Sequence, residues 1–184
     1  MHSIRNRDDL VDYVNQGNRV KYVFFWGHQK PKSGVGKTCF SQWYDSPFES
    51  DGITYQTAEH YMMAEKARLF GDPQAAEKVI AAGTPGEAKK VGRGVRGFDD
   101  KIWQKHRFNI VVKANLLKFS QNPELKEFLL STGKRVLVEA SPVDRIWGIG
   151  LAADDNAAEN PNRWKGLNLL GFALMEVRSQ LAAT

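Results

Sequence analysis

The chain has 184 residues, of which 42% are hydrophobic and 26% charged, with a formal net charge of +5 and a pI near 9.3. That is long enough to bury a sizeable core in one domain, and the composition is that of an ordinary globular protein, which excludes a disordered or fibrous chain. A lone cysteine, Cys39, excludes an intrachain disulfide and a thiolate metal cage, and no apolar run reaches membrane-spanning length.

The basic excess admits an anionic ligand such as phosphate or nucleic acid without requiring one. Met1-His2-Ser3-Ile4-Arg5-Asn6-Arg7 leads into acidic residues and not into the apolar core of a signal peptide, so a cytoplasmic protein is expected. In chain order, a short amphipathic helix is predicted over Asp8–Asn15, closed at Gly17, and a strand over Arg19–Trp26, rich in aromatic and β-branched residues. Asp51-Gly52 reads as a turn before a short strand, Ile53–Tyr55. Thr57 caps a strong helix to about Phe70, broken by Gly71-Asp72-Pro73. Further helices are expected over Gln74–Ala82, from Pro85 to the Gly92-Arg93-Gly94 run, and from Asp99 to Phe119. Asn122-Pro123-Glu124 starts another, closed by Gly133. Arg135–Ala140 reads as a strand, and 141–160 as a long loop. Leu167, Leu170, Leu174, Val177 and Leu181 mark the core face of a last helix. Many helices and few, scattered strands predict an α+β fold, a mostly helical single domain over residues 1–184 packed around a small β-sheet.

One stretch invites a different reading. Pro31-Lys-Ser-Gly-Val-Gly-Lys37-Thr38 ends as a phosphate-binding P-loop ends, but Pro31 stands where the loop needs glycine and its N–H. Residues 39–47 read as an extended piece broken by Pro47, where a P-loop would open a helix. A magnesium-dependent nucleotide hydrolase is thus disfavoured against a solvated, lysine-rich loop.

Three constellations carry chemistry. On the helix from Thr57, residues Glu59, Met62, Met63, Lys66 and Phe70 share a face, because seven residues advance about 700°. A carboxylate and an ammonium on an apolar stripe are costly to bury unless they pair or serve a ligand; otherwise Glu59 only caps the helix and Lys66 reaches solvent. After the strand ending at Glu139, a loop presents Asp144, Trp147, Gly148 and Gly150. This suits an acid beside an aromatic face for a base, or equally a turn-capping Asp and a buried Trp. Lys89, Lys90, Arg93 and Arg96 surround glycines, followed by Trp103 and Arg107 one helical turn apart. They form either a phosphate site or a solvated face. His2, His28, His60 and His106 show no ligand spacing, and no metal or cofactor is expected.

These residues together resemble the NADAR family, also called YbiA-like. The motifs are 40–48 (Phe-Ser-Gln-Trp-Tyr-Asp-Ser-Pro-Phe), Thr57-Ala-Glu-His-Tyr61 with Lys66-Ala67, Ala88-Lys89 with Gly92-Arg93, and Lys118-Phe119. Thr132-Gly133, Glu139–Asp144 with Trp147-Gly148-Ile-Gly150, and Gly166–Gly171 with Met175 and Arg178 complete a match from about Val23 to Leu181. The lysine-rich segment Lys30–Lys37 departs from the shorter, acidic connection of many relatives.

The resemblance implies an N-glycosidase that cleaves the bond between ribose C1 and an exocyclic amine. The substrates it implies are the early ribosylamino-pyrimidine phosphates of riboflavin synthesis, or alternatively ADP-ribose on guanine in nucleic acid. Glu59, Lys66 and Asp144 are then the expected catalytic residues: two carboxylates for acid–base work and charge stabilisation, and a lysine able to form a Schiff base with the sugar. Trp43, Lys89, Arg93, Trp103, Arg107, Glu139, Trp147 and Gly148 are expected around the substrate, with Trp103 and Trp147 stacking or walling the base and the cations holding phosphate. Outside enzymes, the alternative is a basic nucleic-acid-binding module; acids in the cleft count against it because they repel backbone phosphate.

Overall fold

The structure, a computed structural model, describes residues 3–184; Met1 and His2, which open the leader reading and supply one of the four histidines, lie outside the described residues. Its contacts cluster in two compact units, one running to Ser41 and resuming at Lys126, the other spanning Gln42–Leu125. The class is the expected α+β, with seven α-helices and four short strands among the described residues.

The first unit is organised by a parallel pair, β1 (Tyr22–Phe25) and β4 (Val136–Glu139), with Tyr22 opposite Val136 and Phe25 opposite Glu139. β1 is shorter than predicted because Gly27 turns into the left-handed region (φ 88°) and leaves Trp26 exposed. The C-terminal helix, Leu169–Ala182, packs on β4 and buries Leu170, Leu174, Val177 and Leu181. Leu167, predicted as part of this stripe, lies before the helix and donates its N–H to Arg145 O.

The contact between helix and strand is unusually close. A Cβ on Gly171 would stand 2.0 Å from Leu137 O. Buried Asn168, in the left-handed region, substitutes for a neighbouring strand: its Nδ2 donates to Leu137 O and its Oδ1 accepts from Glu139 N, each at 2.9 Å. Residues 37–40 form one 3₁₀ turn, so the segment read as extended over 39–47 begins instead in a turn, because Cys39 and Phe40 turn inward; Phe40 packs against Phe25 and Phe128. No α-helix follows the P-loop-like stretch.

In the second unit, β2 (Phe48–Ser50) and β3 (Ile53–Tyr55) form a hairpin around Asp51 and Gly52, both at positive φ as a primed turn requires. β2 carries no alternation legible from sequence: it is three residues long and follows Pro47. The strands therefore pair as two separate two-stranded sheets. Four helices complete the unit: α2 (Ala58–Leu69), α3 (Pro73–Ala81), α4 (Pro85–Arg93) and α5 (Asp100–Gln121). α2 packs against each of the other three.

Each helix starts with the capping chemistry its sequence announces. Thr57, Asp72, Thr84 and Asp99 accept the N–H of His60, Ala75, Glu87 and Ile102. Asp72 also accepts the Arg96 amide at 3.0 Å and the Arg96 guanidinium at 3.2 Å. The Arg96 amide, then its guanidinium, then the Ala75 amide hold the Asp72 carboxyl down at about 2.

A carboxyl whose folded pKa is depressed contributes stability above its unfolded pKa and loses it as pH falls through the folded value. Asp72→Asn is therefore expected to be less stable than wild type at pH 7, with the difference shrinking from about pH 3.8 to about pH 2. Urea denaturation midpoints across that range measure it, and a pH-independent difference would contradict the assignment.

Candidate active site

α2 is polar where it should be apolar. Its first turns bury Glu59, His60, Tyr61, Met62 and Met63. His60 is a strut: Nδ1 lies 2.7 Å from Thr57 Oγ1 and Nε2 2.9 Å from Ala82 O, tying the start of α2 to the end of α3. Glu59 N donates to Gln42 O at 3.0 Å, and the buried Gln42 side chain accepts from Asn115 Nδ2 on α5 at 2.9 Å. Asn115 also donates to Val111 O, so the amide pair fixes the start of α2 against α5. Gln42 and Asn115 were not read as functional, since a buried amide leaves no periodic signal.

Two turns along the same face, Lys66 is half-buried. Its Nζ lies 4.6 Å from the centroid of the Phe98 ring and 5.4 Å from that of Trp103. Phe98 immediately precedes the N-cap of α5 and its ring meets Phe70 edge-on at 5.3 Å. Burial pushes the Lys66 amine below its ordinary value, Glu59 partly offsets this by favouring the ammonium, and Arg93 adds to the lowering. The structure thus brings together Glu59, Lys66 and Trp103, with Arg93 within electrostatic range.

Arg93 comes so near because α4 packs tightly on α2: a Cβ on Gly92 would stand 2.0 Å from Met63 Sδ. In the same unit Lys89 Nζ sits 5.9 Å from the Trp43 ring, which also packs on Gly86. Arg107 lies half-buried one turn beyond Trp103 on α5. Phe98, unremarked in the sequence, was detectable as a large apolar residue just before a helix cap.

The remaining predicted residues belong to the first unit. Asp144 Oδ1 accepts the N–H of Ile146 at 2.9 Å and of Trp147 at 2.8 Å, so the carboxylate caps the turn that presents the half-buried Trp147. Gly148 is glycine because a Cβ would come within 2.9 Å of Glu139 O and 3.0 Å of Asp144 O. Ile149 N donates to the same Glu139 carbonyl at 3.0 Å, fastening the loop to the end of β4.

A half-buried amine beside two aromatic rings, with a carboxylate on the same helix face, suits an enzyme that works on electrophilic carbon. The family model for the NADAR domain matches residues 24–182. An N-glycosidase of Acanthamoeba polyphaga mimivirus is 47% identical over 165 residues, covering 87% of this chain and 96% of that one. N-glycosidase YbiA of Escherichia coli is 35% identical over 143 residues, covering 78% and 79%. The solution structure of E. coli YbiA superimposes with a TM-score of 0.68 at 30% identity, covering 90% of this chain and 88% of that one. A maize protein named riboflavin biosynthesis protein PYRR is 36% identical over 141 residues, which span 73% of this chain and 21% of the maize protein.

The chain belongs to the NADAR family. The mimivirus and E. coli relatives are named N-glycosidases, and the chain is an enzyme of that class, a hydrolase acting on N-glycosyl compounds. Among the described residues no helix is long and apolar enough to cross a membrane.

The turn geometry makes Asp144 separable into acceptor and charge. Asp144→Ala removes two hydrogen bonds and is expected to cost about 1 kcal/mol of stability, whereas Asp144→Asn keeps an acceptor oxygen and costs less. Urea midpoints for the two variants measure this; equal losses would contradict the capping role.

Proposed function

We propose that the enzyme hydrolyses the ribose C1–N bond of phosphorylated ribosylamines through a Schiff base on Lys66, with ribosylamino-pyrimidine 5′-phosphates as substrates. The observation that carries this reading is the setting of Lys66 Nζ between Phe98 and Trp103, where burial favours the neutral amine a nucleophile requires. The name of the maize relative, a riboflavin biosynthesis protein, supports a substrate from that pathway.

A ring-opened glycosylamine is an imine at C1. Lys66 Nζ adds to that carbon and turns the C1=N double bond into a single bond. Glu59 carries the two protons that Nζ loses to the departing nitrogen, and the C1–N bond breaks to leave C1=Nζ and the free amine. Water then adds to the new C1=Nζ bond, releasing ribose 5-phosphate and restoring the amine. Lys89, Arg93 and Arg107 are the proposed phosphate-holding cations, and Trp103 walls the site at Lys66, with Trp43 beside Lys89. For Asp144, Glu139, Trp147 and Gly148 the proposal keeps the roles expected from the family: charge stabilisation by Asp144 and contacts to substrate by the others.

Borohydride added during turnover is expected to fix one pentose phosphate on Lys66, located by peptide mass mapping. Lys66→Ala should give no adduct and no release of ribose 5-phosphate. An active Lys66→Arg enzyme that forms no adduct would overturn the Schiff-base route and leave hydrolysis by the carboxylates. Absence of ribose 5-phosphate release by the wild type would overturn the pyrimidine substrate in favour of ADP-ribosylated guanine.

A further inference from the structure

Phe98 is placed oddly for a core residue. It sits at the position before the α5 N-cap, with Trp103 five residues on, so the two occupy the places of a hydrophobic staple. A staple normally shelters both partners. Trp103 is only 8% exposed, but Phe98 remains 46% exposed. Its ring is nevertheless held: Phe70 supports it edge-on at 5.3 Å, and Lys66 Nζ lies 4.6 Å from its centroid. The backbone is pinned as well, since Gly97 adopts φ 75° and a Cβ there would stand 3.3 Å from Phe70 O. A large ring fixed in place beside the reactive amine and still 46% exposed leaves surface that no internal contact uses.

We propose that Phe98 is the specificity residue on which the planar leaving amine of the substrate stacks, making this an enzyme for heteroaromatic rather than aliphatic glycosylamines. The inference rests on the reading of Lys66 as the group that attacks C1. The leaving amine is bonded to that same carbon, so when C1 lies at Nζ the departing ring lies beside it. Trp103 contributes a wall to Lys66 but is too buried to offer a face to a base. Trp43 stands over Lys89. Phe98, 46% exposed beside Lys66, has ring surface left for a base, and stacking accepts any planar base while giving an aliphatic amine no comparable contact. The Lys66 ammonium lies over the same ring, a contact that a stacked base would displace.

The test uses two stable, reduced ligands: ribityl 5-phosphate carrying an N-linked aminopyrimidine, and its N-cyclohexyl counterpart. By isothermal titration the wild type is expected to prefer the aromatic ligand about tenfold, as one stacked base would give. Phe98→Tyr should keep that preference. Phe98→Leu, which retains an apolar staple and so the fold, should erase it while leaving the cyclohexyl affinity within twofold. Equal affinity of the wild type for both ligands, failure to bind either, or an undiminished preference in Phe98→Leu would overturn the proposal. Borohydride trapping of ribose 5-phosphate, which has no leaving amine, reads Lys66 separately: its failure would count against the Schiff base, and a changed ligand preference would still report on Phe98.

Discussion

The chemistry of this protein depends on one balance, the cost of placing the Lys66 ammonium among aromatic rings against what those rings and Glu59 return. A cation over aromatic faces recovers on the order of 0.5–2 kcal/mol, and a nearby carboxylate recovers more, but neither fully replaces lost water. Burial therefore dominates and the amine is held below its ordinary pKa. The outcome is a primary amine with an enlarged neutral fraction, which a surface lysine lacks and a Schiff-base nucleophile needs. Arg93 pushes the same way, and it is in range because Gly92 lets α4 settle directly against Met63.

Much of the second unit reads as support for that balance. His60 and the Gln42–Asn115 amide pair spend buried hydrogen bonds on fixing the first turn of α2, which carries Glu59. Asp72 fastens the connection after α2 to Arg96, just before the loop that delivers Phe98. The amide pair is only partly partnered, since Gln42 Nε2 and Asn115 Oδ1 are buried without a hydrogen bond among the described residues, so its gain is positional: it helps determine where a carboxylate and an amine stand on one helix. The first unit uses a related device, in which Asn168 takes the place of a neighbouring strand and lets the last helix press onto β4.

The helices were legible because their signals are local. Thr57, Asp72, Thr84 and Asp99 cap where their sequence positions imply, and the seven-residue step from Glu59 to Lys66 places both on one face. The strands were less so. β2 is too short to show alternation, and the trimming of β1 follows from the backbone of Gly27. In the candidate site, spacing singled out Glu59, Lys66 and Trp103, but it could not show that Asp144 Oδ1 caps the turn before Trp147, because that depends on the placement of one oxygen. Phe98 escaped notice because its meaning lies in an open ring face next to a distant lysine, and no periodic pattern encodes exposure.

The most direct test of this account is the titration of Lys66 itself, followed through its ¹³Cε resonance and assigned by its loss in Lys66→Arg. The account predicts a midpoint below the ordinary lysine value of 10.5, moving lower still in Glu59→Gln, where the group that favours the ammonium is gone. A midpoint at or above 10.5, or one that Glu59→Gln leaves in place, would contradict it.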